Sequence, residues 1–396
     1  MTRKLIRVVI GGDICPIGLN EPYFIGGDAG SVFNDLLPEF ENADLSIANL
    51  ECPLINKKNP IEKAGPVLGV SSDSINGLKN ASIDILNLGN NHIMDHGSEG
   101  LFNTLTLCSK AGIKTVGAGE NLQEARKILI VKIGGVSIGI LSLAEHEFSI
   151  ATKNLCGANP LDLADFVRNM KSNSPLIDYL IVLVHGGNEH YPYPSPRLKD
   201  TCRFMIEMGA KAVVVQHTHC PGCFEEYQGS HIVYGQGNLI FDLPGQKSSF
   251  YEGFLVKLLI PDHLNASMEL VPFVQPTDQP GVKKMAIDDA RLFLQLVQER
   301  SLAIQNDEFV KLKWDQFCEN RKHDYLRRII GHNRFCSRIF SFKYRKHFKV
   351  DSYCRSEYLN RLLNTISCES HREAVENILN HRSINDWGNF GRENDK

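Results

Sequence analysis

The sequence predicts an α/β sandwich built on a mixed β-sheet, followed by a helical C-terminal extension. Three observations predict it. From residue 3 to about residue 260, strand-length apolar runs alternate with segments of helical period. Inside that alternation Gly134-Gly135 joins two apolar runs as a hairpin, so the sheet is not wholly parallel. Beyond Pro261 the spacing turns helical after a proline-bearing stretch.

Taken in order, residues 5–11 read as a buried strand, 32–40 as a helix, 43–48 as a strand, 72–80 as a helix and 83–88 as a strand. Leu101, Leu105 and Cys108 share a face of a helix over 101–111 that Gly112 ends. The hairpin strands are 128–133 and 136–143. A helix at 161–170, a strand at 179–184, a helix at 197–208 and a strand at 212–215 follow, and a Gly-rich loop separates strands at 231–234 and 253–260. Pro272, Pro276 and Pro280 bracket a loop-like connection. Leu292, Leu296 and Val297 recur at helical spacing, and Ser370 to Glu373 form a capping box opening a helix with Ala374, Ile378 and Leu379 on its apolar side. The organisation is a main domain over 1–262, a connecting loop over 263–284 and a helical, partly basic extension over 285–396.

Composition narrows the class. With 42% hydrophobic and 22% charged residues the chain is globular rather than disordered. No apolar run approaches the roughly 18 residues of a membrane span. The basic opening MTRKLIRVVIGGD runs straight into a strand, so no secretory signal is read there, and a cytoplasmic protein, peripheral to the inner membrane surface at most, is expected. Eleven scattered cysteines suit reduced thiols. The Cys220-Pro-Gly-Cys223 pair has redox or metal spacing, but a lone pair of this kind is weak evidence and reads rather as an incidental loop pair. The total charge is −3. Residues 321–349 hold ten Lys or Arg against Asp324 alone, a local +9 that leaves −12 on the remainder. Phe335, Phe340, Phe342, Tyr344 and Phe348 are interleaved there. The segment suits an anionic polymer or a lipid surface, or packs as a solvated helix on the acidic main domain; that acidity argues against nucleic acid as a partner.

The chemistry sits at strand ends, where open α/β sheets bind ligands. Asp13 follows the first strand, and Asn49 and Glu51 end the second, spaced to point the same way. Asn90, Asn91, His92 and Asp95 crowd the loop after the third. His185 ends an all-apolar strand, and His217 and His219 end another at the offset that aims both side chains of an extended segment at one target. One histidine after a strand is commonly a structural residue. Three strands ending in histidine and two ending in a carboxylate suit one or two divalent ions such as Mn, Fe or Zn.

These residues also carry a resemblance. Gly12-Asp13, Asn49-Leu50-Glu51, Asn90-Asn91-His92 with Asp95 and Gly97, His185-x-Gly187-x-Glu189, His217-x-His219 and the run from Ile232 to Asp242 stand in that order, with Ala118-Gly-Glu120 to Ala125 and Glu252-Gly253. Over about residues 5–260 the chain resembles the CapA family of poly-γ-glutamate capsule-synthesis proteins, a branch of the calcineurin-like metallophosphoesterases. The resemblance implies a bacterial protein with a four-layer αββα sandwich of metallophosphoesterase type. Asp13 would bind one ion, Glu51 would bridge, Asn91 and His185 would bind the second, and His217 and His219 would divide between them. His92 would be the proton donor or oxyanion contact, oriented by Asp95. Asn49, Asn90, Glu189 and Asn238 would lie on the substrate side. The implied function is a metal-dependent hydrolase of a phosphoester or of a polymer γ-amide, with membrane-associated biosynthesis proteins as partners, or else a non-catalytic binding component of that machinery. Three departures bear on it: Cys15 stands where the superfamily has a histidine, Glu51 where it has Asp, and Gly186 where the family has Trp.

Overall fold

A computed structural model describes residues 5–261, 263–330, 362–366, 371, 372 and 375. Ser370 and Glu373, the two ends of the expected capping box, and residues 331–349 of the basic segment lie outside the described residues. The chain divides into two units, Met1–Asp315 and Gln316–Lys396. The sheets and the site belong to the first.

In chain order the strands are β1 (Ile6–Cys15), β2 (Leu45–Leu50), β3 (Leu54–Ile55), β4 (Val70–Ser71), β5 (Ile85–Asn87), β6 (Lys114–Val116), β7 (Ala118–Gly119), β8 (Leu129–Ile133) and β9 (Val136–Ala144). Then come β10 (Gly157–Ala158), β11 (Tyr179–His185), β12 (Ala212–Gln216), β13 (Pro221–Tyr227), β14 (Ser230–Gln236), β15 (Asn238–Phe241), β16 (Glu252–Ile260), β17 (Ser267–Val274) and β18 (Lys283–Lys284). The helices are α1 (Glu21–Gly26), α2 (Ala29–Phe33), α3 (Leu37–Glu41), α4 (Ile75–Asn80), α5 (Gly97–Ala111), α6 (Leu122–Ala125), α7 (Leu163–Asn173), α8 (Pro196–Glu207), α9 (Ile287–Ala303) and α10 (Asp307–Ile330).

This is an α/β fold with two mixed sheets. The larger has eight strands in the order β18-β17-β16-β1-β2-β5-β6, with β15 also pairing β1. The run β1-β2-β5-β6 is parallel, and β16, β17 and β18 add antiparallel. The smaller sheet, β13-β14-β12-β11-β9-β8, is parallel in its middle and antiparallel at both edges.

Three apolar clusters explain the strand sequences. Along β11, Tyr179, Ile181 and Leu183 enter a cluster that also takes Val8, Ile10, Ile47 and Val256 from the larger sheet. Leu180, Val182 and Val184 point the other way and pack with Phe166 and Met170 of α7 and Leu198, Cys202 and Met205 of α8. A strand buried on both faces needs no polar alternation, which is why 179–184 is apolar throughout. On the larger sheet Val9, Ala48 and Leu86 pack with Phe24, Phe33, Phe40, Leu78 and Leu101 from α1 to α5.

Several expectations need correction. The helix expected at 32–40 is broken into α2, a 3-10 turn and α3, with Pro38 in the first turn of α3. The Gly-rich loop before β16 contains β15. The Cys220–Cys223 loop leads into β13, where Cys223 pairs Tyr234; both thiols are free and buried, and neither joins a metal-ligand group among the described residues. The connection 263–284 is not a loop, because β17 pairs β16 from Glu252 to Leu259. Its Pro272 is tolerated because β18 covers only Phe273 and Val274, leaving the preceding stretch of β17 an edge. In α9 Phe293, Val297 and Ser301 are buried, whereas Leu292 and Leu296 are exposed. The hairpin holds as expected: Gly134 and Gly135 have φ of 57° and 91°, as a tight primed turn requires.

Candidate metal centre

Register brings the polar strand ends together. In the larger sheet Asp13 pairs Asn49 and Asn49 pairs Asn87; in the smaller, His185 lies between Ala144 and Gln216. Buried amides tie the two sheets at this end. Gln216 Nε2 donates to the Gly11 carbonyl (3.0 Å), Gln236 Nε2 to that of Ile10 (2.8 Å), and Asn87 Nδ2 to Gln216 Oε1 (3.1 Å). Gly12 is required by close approach, since a Cβ there would lie 2.1 Å from the Gly237 carbonyl oxygen. That approach places β15 beside β1 and Asn238 beside Asp13.

Among the described residues, two groups of side chains have ligand atoms within 4.8 Å of one another: Glu51, His185 and His217, and Asp13, Glu51 and His219. Glu51 is common to both. Its Oε1 lies 3.3 Å from His185 Nε2, 3.9 Å from His219 Nε2 and 4.0 Å from His217 Nδ1. Neither Glu51 oxygen has a hydrogen-bond partner, nor has His217 Nδ1, although all three atoms are buried. Stranded buried polar atoms are costly, and a shared cation satisfies this donor set of carboxylate oxygen and imidazole nitrogen. The residues fit a metal.

The electrostatics follow from burial and neighbours. Burial, reinforced by Glu51, pushes the Asp13 carboxyl up to about 7 against the pull of His219 and Asn49. Burial would also raise Glu51, but the imidazoles of His219 and His185 outweigh it and hold that carboxyl well below its usual range. Burial pushes His185 down to about 4. It acts the same way on His217, where Glu51, Glu147 and Glu189 outweigh it and lift the imidazole to about 9.

His217 and His219 do not sit in extended backbone. They lie beyond β12 with φ of 89° and 51°, a strained conformation for non-glycine residues that recurs at functional sites. The left-handed turn, rather than strand alternation, brings both rings to Glu51. Asp13 Oδ2 accepts from the His217 backbone N–H (3.1 Å) and helps fix that turn.

Asn91 Oδ1 lies 3.0 Å from His185 Nε2, beside the group of Glu51, His185 and His217. His92 Nδ1 lies 2.6 Å from Asp95 Oδ2. Asn49, Asn90 and Asn238, expected on the substrate side, are fully buried with their amides committed inside the site. Asn49 Nδ2 donates to Asp13 Oδ1 (2.8 Å), Asn90 Nδ2 to Asn49 Oδ1 (3.2 Å), and Asn238 Oδ1 sits 2.8 Å from His219 Nδ1. Glu189 is exposed at the side and reaches His217 through its charge. Cys15 does not take the missing histidine's place: its free thiol hydrogen-bonds to that of Cys52 in the apolar cluster under the helices, and burial raises it far above the usual thiol range. Where the family has Trp, a Cβ on Gly186 would collide with the Glu145 side chain, whose Oε2 accepts from the Gly187 N–H (3.0 Å).

Two residues of the site escaped sequence reasoning. Glu147 accepts from Asn91 Nδ2 (3.2 Å) and has an oxygen 4.0 Å from His217 Nε2. It follows strand β9 as the other polar groups follow theirs, so the same rule finds it. Lys63 buries its ammonium against Asp95 at 2.6 Å. Nothing in the sequence separates it from Lys57 and Lys58 in the same polar stretch.

Fold and site together define an α/β protein with paired His/carboxylate candidate metal sites. The family model for bacterial capsule synthesis protein PGA_cap matches residues 7–243, and the chain belongs to that family. It is 28% identical to the capsule biosynthesis protein CapA of Bacillus anthracis over 304 residues, covering 74% of this chain and 72% of that one. It is 28% identical to the PGA biosynthesis protein CapA of Bacillus subtilis over 280 residues, covering 69% and 73%. A hypothetical protein of Thermus thermophilus with a solved structure aligns at 15% identity and a TM-score of 0.44, covering 68% of this chain and all of that one.

Proposed function

We propose that this chain is a metal-dependent hydrolase acting in the synthesis of capsule or poly-γ-glutamate, on a four-layer αββα sandwich of metallophosphoesterase type. The layering is supported by the apolar clusters: one joins the two sheets, and the others join each sheet to its own helices. The observation that carries the hydrolase reading is Glu51, fully buried, with both oxygens unpartnered and three imidazoles within 4.0 Å.

Asp13, Glu51 and His219 would hold one divalent ion, and Glu51, His185, His217 and Asn91 a second. Mn, Fe and Zn all suit such donors. A bound ion supplies Lewis acidity and a water of lowered pKa. The chain's residues do the rest. Asn49 and Asn238 orient Asp13 and His219, and Asp95 holds the His92 ring for proton transfer to a leaving group. The substrate class is a phosphoester or the γ-amide of an anionic polymer. The names of the Bacillus relatives favour the polymer. The test is purified protein with Mn²⁺ or Zn²⁺ against a chromogenic phosphodiester and poly-γ-glutamate. Cleavage of either, lost in His92→Ala, is expected; no cleavage of both overturns the reading.

One observation favours a second reading, a non-catalytic polymer- or partner-binding component docked on membrane-associated synthesis proteins. With Cys15 turned into the apolar cluster, the first group has only Asp13, Glu51 and His219. Polymer that the wild-type protein binds but does not cleave, with binding unchanged in His92→Ala, distinguishes it.

A further inference from the structure

We propose that Lys63 is a positioning residue for His92, acting through Asp95 and through the backbone of Asn91. This rests on the proposed hydrolase reading, because it assigns Lys63 a part in the same site.

Residues 56–69 join the two strands of a small parallel pair, β3 and β4. Most of the segment is exposed, yet it is pinned to the 91–96 turn at four points. Asn59 N–H donates to His96 Nδ1 (2.8 Å), Ile61 N–H to the Asp95 carbonyl (3.0 Å) and Leu68 N–H to Asp95 Oδ2 (2.7 Å). The fourth point is Lys63. Its ammonium donates to Asp95 Oδ1 (2.6 Å) and to the Asn91 carbonyl (3.3 Å), and lies 3.4 Å from His92 Nδ1. Its side chain is 1% exposed and that of Asp95 is not exposed at all.

An exposed segment that delivers a buried lysine ammonium to a buried carboxylate needs a reason. Burying such a pair commonly gains nothing over apolar packing, so stability alone is a poor account of it. The arrangement has a geometric consequence. Asp95 Oδ1 is taken by Lys63, and Oδ2 is shared by Leu68 N–H and His92 Nδ1. With both oxygens fixed, the carboxylate cannot rotate, and the imidazole is held by Nδ1 with Nε2 left for exchange with a substrate. The bond to the Asn91 carbonyl fixes the backbone that carries both His92 and the Asn91 amide beside His185. Supporting partners of this kind set the orientation of reacting groups to within a fraction of an ångström.

The experiment compares full-length protein with Lys63→Met, which keeps the stem and removes the charge, and Lys63→Arg, which keeps the charge. Three quantities are read: bound metal by elemental analysis, kcat and KM on a chromogenic phosphodiester with Mn²⁺, and the downfield imidazole N–H proton resonance of the His92–Asp95 pair, identified by its loss in His92→Ala. In Lys63→Met the resonance is expected to shift or vanish, kcat to fall at least tenfold with KM within twofold, and metal content to stay. Lys63→Arg is expected to recover part of kcat and the resonance. A folded Lys63→Met with wild-type kcat and an unmoved resonance overturns the proposal. If the wild type cleaves nothing, the hydrolase reading fails by itself, and the resonance in Lys63→Met still decides whether Lys63 positions His92.

Discussion

Glu51 Oε1 and His217 Nδ1 lie 4.0 Å apart, both buried, and neither hydrogen-bonds to anything. The gap is too long for a hydrogen bond. Two bonds of about 2.0–2.2 Å meeting at one ion span distances up to roughly this value. The pair is therefore arranged for a third party.

Metal is expected to stabilise the fold through this pair. At a free concentration of about 100 times Kd, one site adds about 2.7 kcal/mol. For a unit of this size that is a rise in Tm of several degrees with Mn²⁺ or Zn²⁺, reversed by chelator. Glu51→Gln keeps the shape and should abolish the shift, because one side chain serves both groups. Differential scanning fluorimetry with and without metal checks it, and an equal shift in Glu51→Gln contradicts the shared-ligand geometry.

The same pair gives a pH dependence with a definite sign. In the metal-free protein His217 is lifted from 6.5 to about 9. A raised histidine contributes stability in full below its unfolded pKa and loses it as pH rises through the folded one. The metal-free protein is thus expected to lose that contribution between about pH 6.5 and 9. A cation must displace the His217 proton, so its affinity should rise with pH over the same window. Calorimetric titration at about pH 7.5 in buffers of different ionisation enthalpy should show proton release, and its absence contradicts the protonated His217.

Much of this was legible in the sequence because both sheets are buried on two faces. Continuous apolar runs such as 179–184 locate the central strands, and a polar residue just past each run marks the site end. Asp13, Glu51, His185, His217 and His219 all emerge by that rule and do meet. The rule fails where backbone rather than side-chain pattern decides. β13 and β15 are flanked or opened by Gly and Pro, and β17 carries Pro272, so all three read as loops. The left-handed turn at His217 and His219 left no signal. Lys63 acts through a contact with residues 28 to 32 positions away, which no local pattern encodes.

Outer partners should matter less than the shared carboxylate, but measurably. Asn238 is fully buried and its Oδ1 holds His219 Nδ1 at 2.8 Å, while its Nδ2 donates to the Phe250 carbonyl (3.0 Å). Removing such a partner typically costs about 10–100-fold in metal affinity. Asn238→Ala is expected in that range. Glu147→Gln is expected to show a smaller loss, because the Glu147 side chain is 39% exposed and water can replace its contact with Asn91. Metal titration of the two variants ranks them; a larger loss for Glu147→Gln would instead make Glu147 a ligand in its own right.

Gly12 offers a test of how the strand ends are held rather than of any ligand. A Cβ at this position would lie 2.1 Å from the Gly237 carbonyl oxygen, a backbone atom without a flexible side chain to yield. Gly237 itself has φ of 79° and is confined by the Glu252 carbonyl, so it cannot easily retreat. Gly12→Ala must then separate β1 from β15, at a cost of about 1–3 kcal/mol from overpacking alone. Asp13 and Asn238 are the next residues along the two strands, so the separation carries Asp13 away from His219, at present 3.7 Å distant. The expected result is a lowered Tm together with weaker metal binding. The double variant Gly12→Ala with Asn238→Ala should then lose less metal affinity than the two single losses predict, since both act on the same pair of strand ends. Additive losses would mean that β15 does not position the Asp13 group.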